Sequence, residues 1–132
     1  MKENESFSLL TATTTEWYKH TVVFIESKAF TRRLHELAGN DADAVLSAIQ
    51  KDLIENPERG VMPPSLCGMR KARASNPGRG KGKSGGFRHC YLYLKKKDHI
   101  HLLLLLDKDE QADLSEDQRK TIRGMVRALK ES

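Results

Sequence analysis

The period of the apolar positions changes several times along the chain, and each change marks an element. Residues 21–25, Thr-Val-Val-Phe-Ile, form a β-branched run that predicts a buried strand. Ser27 is placed to cap a helix in which Phe30, Leu34, Leu37 and Ala38 fall on one face, ended by Gly39-Asn40. Asp41 or Asp43 can cap a second helix with the stripe Ala42, Val45, Leu46, Ile49 and Leu53. Asn56-Pro57 stops it, because the residue before proline disfavours the helical region. Residues 58–67, with Pro63-Pro64, predict an irregular connection. Three strands follow, at 69–75, 87–94 and 99–106, the last two joined by a short turn at 95–98. Leu102 to Leu106 show no polar alternation, which predicts a central strand covered on both faces. Ser115 and Gln118 have capping-box spacing and open a last helix with the stripe Ile122, Met125, Val126 and Leu129.

The order β-α-α-β-β-β-α gives an α+β domain around a small, mostly antiparallel sheet, with two N-terminal helices and a C-terminal helix. Residues 1–20 are Thr-rich and show little periodicity. They predict a loosely held extension, with Trp17 and Tyr18 docking on a domain that spans 21–132. At 132 residues the chain has room for one modest core. No apolar run reaches the length of a membrane span, and no signal-peptide pattern opens the sequence, so the expected location is the cytoplasm. Cys67 and Cys90 are too few for a disulfide framework and read as reduced and structural.

Charge changes the picture more than composition does. Residues 68–106 hold ten of the 23 Lys and Arg but one of the 18 acids, Asp98, leaving thirteen cations against seventeen acids elsewhere. A local excess of this kind suits a polyanion, since each neutralised phosphate releases condensed counterions. On the strand at 69–75, Lys71, Arg73 and Ser75 share one face and Arg70, Ala72 and Ala74 the other. On the next strand Phe87, His89, Tyr91 and Tyr93 share a face, and Arg88, Cys90, Leu92 and Leu94 the other. An aromatic row can stack bases but is more often core beneath a helix. If Ala72 and Ala74 face the helices, Lys71, Arg73 and Arg88 converge on the exposed side as a cationic triad. Arg70 and His89 are further candidates for RNA contact, as are Arg79, Lys81 and Lys83 of the glycine-rich tract, which suits an arm tracking a phosphate backbone.

Other motifs carry less. Gly80, Gly82 and Gly85 spell G-x-G-x-x-G, but a strand follows where a dinucleotide fold needs a helix. His99 and His101 lie on one strand face, yet with Cys67 or Cys90 they lack zinc-site spacing, so no metal is expected. Cleaving RNA requires a deprotonated 2′-OH, stabilised phosphorane charge and a protonated 5′-oxygen. No His or carboxylate pair is evident in the basic stretch, whereas clustered Lys and Arg can stabilise the developing charge.

Several segments together resemble the HigB branch of the RelE toxin superfamily. They are Phe-Ile-Glu-Ser-Lys-Ala-Phe-Thr-Arg-Arg at 24–33, Glu-Asn-Pro-Glu-Arg-Gly at 55–60, Gly-Met-Arg-Lys-Ala-Arg at 68–73, Gly-Lys-Gly-Lys-Ser-Gly-Gly-Phe-Arg at 80–88 and Asp-Lys-Asp-Glu-Gln-Ala-Asp-Leu at 107–114. The resemblance covers about residues 22–130. It implies a compact RelE-like fold and the toxin of a type II toxin–antitoxin pair, an endoribonuclease that cuts mRNA in the ribosomal A site without metal or other cofactor. It implies as partners a cognate helix-turn-helix antitoxin, the ribosome and mRNA. By position, Lys71, Arg73, Arg88 and Lys108 match the family's active-surface cations. The chain departs from the pattern at Leu106, where many relatives have an aromatic, and at Asp107, where they have glycine. Asp109 stands where the RelE pattern has arginine, Ser115 where it has tyrosine, and Cys67-Gly68 where Gly-Gly is usual. The same basic surface also suits a non-catalytic RNA-binding relative, or a partner that buries the tract against an acidic protein.

Overall fold

A computed structural model describes residues 12–17, 20–77, 86–108 and 114–131, with side chains from residue 21 onward. Its elements are β1 (Ala12–Trp17), β2 (His20–Glu26), α1 (Lys28–Ala38), α2 (Ala42–Glu55), β3 (Arg70–Ala74), β4 (Phe87–Leu94), β5 (His99–Asp107) and α3 (Glu116–Glu131), with a 3-10 turn at Gly39–Asp41. The five strands make one sheet in the order β1-β2-β5-β4-β3. Only the β2–β5 pair is parallel. The class is therefore α+β with a mostly antiparallel sheet. β1 lies within the stretch read from sequence as a loose extension, and it adds an edge strand the sequence reading did not contain.

Local chemistry accounts for the helix starts. The Ser27 hydroxyl accepts from the Phe30 N–H at 2.9 Å and donates to the Leu103 carbonyl at 2.8 Å, so one side chain caps α1 and pins it to β5. Ser115 Oγ accepts from the Gln118 N–H, while Gln118 Oε1 accepts from the Ser115 N–H, closing the capping box of α3. Asp41 stands at the N-cap of α2 without a side-chain cap bond. Its carboxylate accepts from Asn76 Nδ2 at 3.2 Å instead.

Both sheet faces are covered. α1 and α2 pack through Phe30, Leu34, Val45, Ile49 and Leu53 onto Phe24, Phe87, Tyr91, Ile100, Leu102 and Leu105. On the opposite face Ile122, Val126 and Leu129 of α3, with Leu66 and Met69, cover Cys90, Leu92, Leu103 and Leu106. The leucine run thus serves two cores, as expected of a central strand. Alternation serves both cores, with one interruption: Cys90 stands opposite Leu104 and Tyr91 opposite Leu102, so Leu103 is the extra residue of a bulge. The shift leaves Leu103 and Leu104 both on the α3 side and inverts the phase beyond them, so that Leu105 joins Leu102 under α1 and α2 while Leu106 faces α3. Among the described residues, no helix is long and apolar enough to cross a membrane.

Candidate nucleic-acid interface

The site grows from the pairing of β3 with β4. Lys71 stands opposite Cys90, and Arg73 opposite Arg88. Lys71 exchanges both backbone hydrogen bonds with Val61, at 2.9 and 2.8 Å, so its backbone groups point away from β4. Alternation along the ladder makes Arg73–Arg88 a closely spaced, non-hydrogen-bonded pair, with Cβ atoms about 5 Å apart. Two guanidinium groups in that relation repel each other. Ala72 and Ala74 pack with the α1–α2 core, which puts Lys71, Arg73 and Arg88 on the other face. Cys90 and Leu92 of that face are buried with α3, whereas Arg73 is exposed and Lys71 and Arg88 are half-buried.

Around the pair lies a groove of about 560 Å³, lined by Asp52, Arg59, Arg73, Ser75, Arg88 and Lys108 among others. A second depression of about 450 Å³ adds Val61, Lys71 and Ala72 to Arg59, Arg73 and Arg88. The two share three guanidinium groups. The fold therefore brings together Lys71, Arg73, Arg88 and Lys108, although Lys108 follows Arg88 by a whole hairpin. Asp52 is the one carboxylate lining either depression among the described residues. Its Oδ1 lies 3.4 Å from Arg59 Nη1.

Arg59 is the lining cation that the sequence reading left out of the site. It sits in an irregular connection, where no periodicity predicts direction; the available signal was its place in the Glu-Asn-Pro-Glu-Arg-Gly turn at 55–60.

Two candidates move away from the interface. Arg70 Nη1 donates to the carbonyls of Glu58 at 3.0 Å and Gly60 at 2.8 Å, so its guanidinium is engaged in holding that turn. His89 is 1% exposed and stacks on Tyr91 with ring centroids 5.4 Å apart. Burial, and then the charge of Arg59, lower its pKa to about 3. The imidazole is therefore neutral near pH 7 and out of reach of RNA, because odd-numbered positions of β4 face α1 and α2. The same parity puts Tyr91 in the core, as preferred from the aromatic pattern. Arg79, Lys81 and Lys83 lie outside the described residues, as does Asp109. Ser75 and Gly86, on either side of the segment that carries those three cations, line the groove.

Leu106 is buried under α3, and Ser115 is committed to the α3 cap. Cys90 is buried and its thiol is pushed up to about 12, mainly by loss of solvent, which makes it inert near neutral pH.

No protein-family model matches the sequence, and no curated protein matches it. Among solved structures the chain is similar to the isolated RelE toxin of E. coli. Identity is 13%, with 77% of this chain and 96% of that chain covered, at a TM-score of 0.45.

Proposed function

We propose that the protein is a ribosome-dependent endoribonuclease toxin of the RelE superfamily, in its HigB branch. In this reading it cuts mRNA in the ribosomal A site and is held inactive by a helix-turn-helix antitoxin. The observation that carries the reading is the Arg73–Arg88 pair set between Lys71 and Lys108. Like charges placed opposite one another on a rigid sheet oppose folding and gain their use when an anion arrives. The sequence segments that resemble that family agree with it.

Cleavage would run by attack of the 2′-oxygen on the adjacent phosphorus, forming the P–O2′ bond and breaking the P–O5′ bond. Arg73 and Arg88 would neutralise the phosphorane oxygens, and Lys71 and Lys108 are the groups available on either side to move the two protons. The reading requires no metal or small-molecule cofactor, and the place of action is the cytoplasm, where ribosomes are. The basic tract with Arg79, Lys81 and Lys83 would hold ribosomal RNA or mRNA at the groove rim.

Tightly controlled expression in a bacterial host, with mapping of transcript 5′-ends, tests this. Growth arrest with new cuts inside translated codons is expected, and both should vanish for Lys71→Ala with Arg88→Ala. Arrest and cuts that persist in that double variant sink the assignment. A second reading, a phosphate clamp without chemistry, is favoured by one observation: the described lining residues include no His or carboxylate pair. Salt-steep RNA binding without cuts on translating ribosomes would select it.

A further inference from the structure

The turn that carries Arg59 is tied down more heavily than a surface connection needs to be. The Asn56 N–H donates to the Asp52 carbonyl at 3.1 Å, Asn56 Oδ1 accepts from the Glu58 N–H at 3.1 Å, and the Arg59 N–H donates to the Asn56 carbonyl at 3.1 Å. The Tyr91 hydroxyl reaches out of the core, accepting from the Gly60 N–H at 3.0 Å and donating to the Pro57 carbonyl at 2.8 Å. Arg70 binds the Glu58 and Gly60 carbonyls from the next strand. A Cβ on Gly60 would come within 2.9 Å of Arg70 Cβ, 3.0 Å of the Lys71 carbonyl oxygen and 3.0 Å of Tyr91 Cε1, so the turn lies flush against the sheet.

A phenylalanine at 91 would fill the same core volume. The hydroxyl's bonds are both to the turn, and what that turn delivers to the groove is Arg59. The Arg59–Asp52 pair is partly exposed, at 40% and 36%. An ion pair so solvated is weak and readily exchanged, whereas a guanidinium can hold a phosphate through two parallel hydrogen bonds.

We propose that Arg59 is a further phosphate-binding residue of the groove, positioned by the Tyr91 hydroxyl and Arg70, with Asp52 as a resting counter-ion that a phosphate displaces. The proposal rests on the reading of the groove as an RNA site. Arg59 lines both depressions, so the ligand it fits is a single strand with successive phosphates, one in each depression, rather than an isolated phosphate.

The test is anisotropy of a short fluorescein-labelled oligouridylate titrated with the whole protein over a range of salt. Arg59→Ala should weaken binding about tenfold and reduce the slope of log K against log salt by about 0.7, one single-strand phosphate contact. Asp52→Asn should tighten binding about threefold, because the internal competitor is gone, and this gain should disappear in the Arg59→Ala background. Tyr91→Phe should weaken binding severalfold, again only when Arg59 is present. Thermal unfolding of each variant shows that the fold persists, and Arg59→Lys, which keeps charge without the fork, should recover part of the loss. An Arg59→Ala protein with wild-type affinity and slope overturns the proposal. So does an Asp52→Asn gain of equal size in both backgrounds, which would be a general charge effect. Wild-type protein without affinity at low salt removes the RNA reading and this proposal together; wild-type binding with an unchanged Arg59→Ala variant removes this proposal alone.

Discussion

Arg73 and Arg88 face each other across β3 and β4. Cross-strand like charges oppose pairing, so Arg73→Thr should stabilise the free protein by up to about 1 kcal/mol at low salt. The gain should shrink as salt screens the repulsion, and RNA affinity should fall. Denaturation midpoints at two ionic strengths, with RNA titrations alongside, check this; a loss of stability would mean that Arg73 holds the fold together instead. Two buried histidines give a second test. Burial lowers His89 to about 3 and, with the charges of His99 and Lys97, His101 to about 4, from 6.5. The unfolded chain therefore binds more protons below pH 6.5, and stability falls as pH drops from there toward 4. Each histidine contributes at most about 1.4 kcal/mol per pH unit. His89→Phe, which keeps an aromatic ring against Tyr91, should flatten that dependence by one proton in urea titrations at several pH values. An unchanged slope would show that His89 protonates equally in both states. Alternation in the sequence separated Arg88, in the cationic triad, from His89, on the aromatic face; the direct Arg73–Arg88 pairing and the depth of His89's burial came only with the fold.

Element by element, the strands and helices followed from local chemistry, and their boundaries moved by a residue or two. Caps did much of this. Ser27 and Ser115 were legible because a hydroxyl at the right place before an apolar stripe satisfies free N–H groups whatever the tertiary context. Ser115→Ala should cost about 1 kcal/mol, since it removes the hydroxyl that accepts from the Gln118 N–H, while the return bond from the Ser115 backbone N–H keeps both its partners. Chemical denaturation measures it; a change within error would mean that α3 is held by its buried stripe alone. The bulge at Leu103 and the strand β1 were not legible. A bulge exists only when two strands are paired, and an unbroken leucine run gives no phase to shift. β1 has no alternation of its own and takes its place by pairing with β2, Ala12 opposite Ile25 through Trp17 opposite His20.

Across the molecule, charge and burial divide the work. The chain carries a formal net charge of +5, and the interface gathers Arg59, Lys71, Arg73, Arg88 and Lys108 against Asp52. These cations come from the turn after α2, from two strands and from beyond a third. Two apolar cores, one on each face of the sheet, hold those elements in place. The resulting field is local, which should draw a polyanion to one place and orient it there.

The sequence by itself determined the α+β class, the element order, the central position of β5 and the concentration of charge between residues 68 and 106. These follow from apolar period, capping residues and composition, which act over a few neighbours. Strand alternation had already put Lys71, Arg73 and Arg88 on one face; tertiary structure decided their register and which other cations join them. Register put Arg73 opposite Arg88, and packing of the sheet against α1 and α2 buried the face that carries His89. Hydrogen bonds from Tyr91 and Arg70 brought Arg59 over the groove. Each of these depends on contacts between residues far apart in the chain, and no local pattern encodes a partner's position.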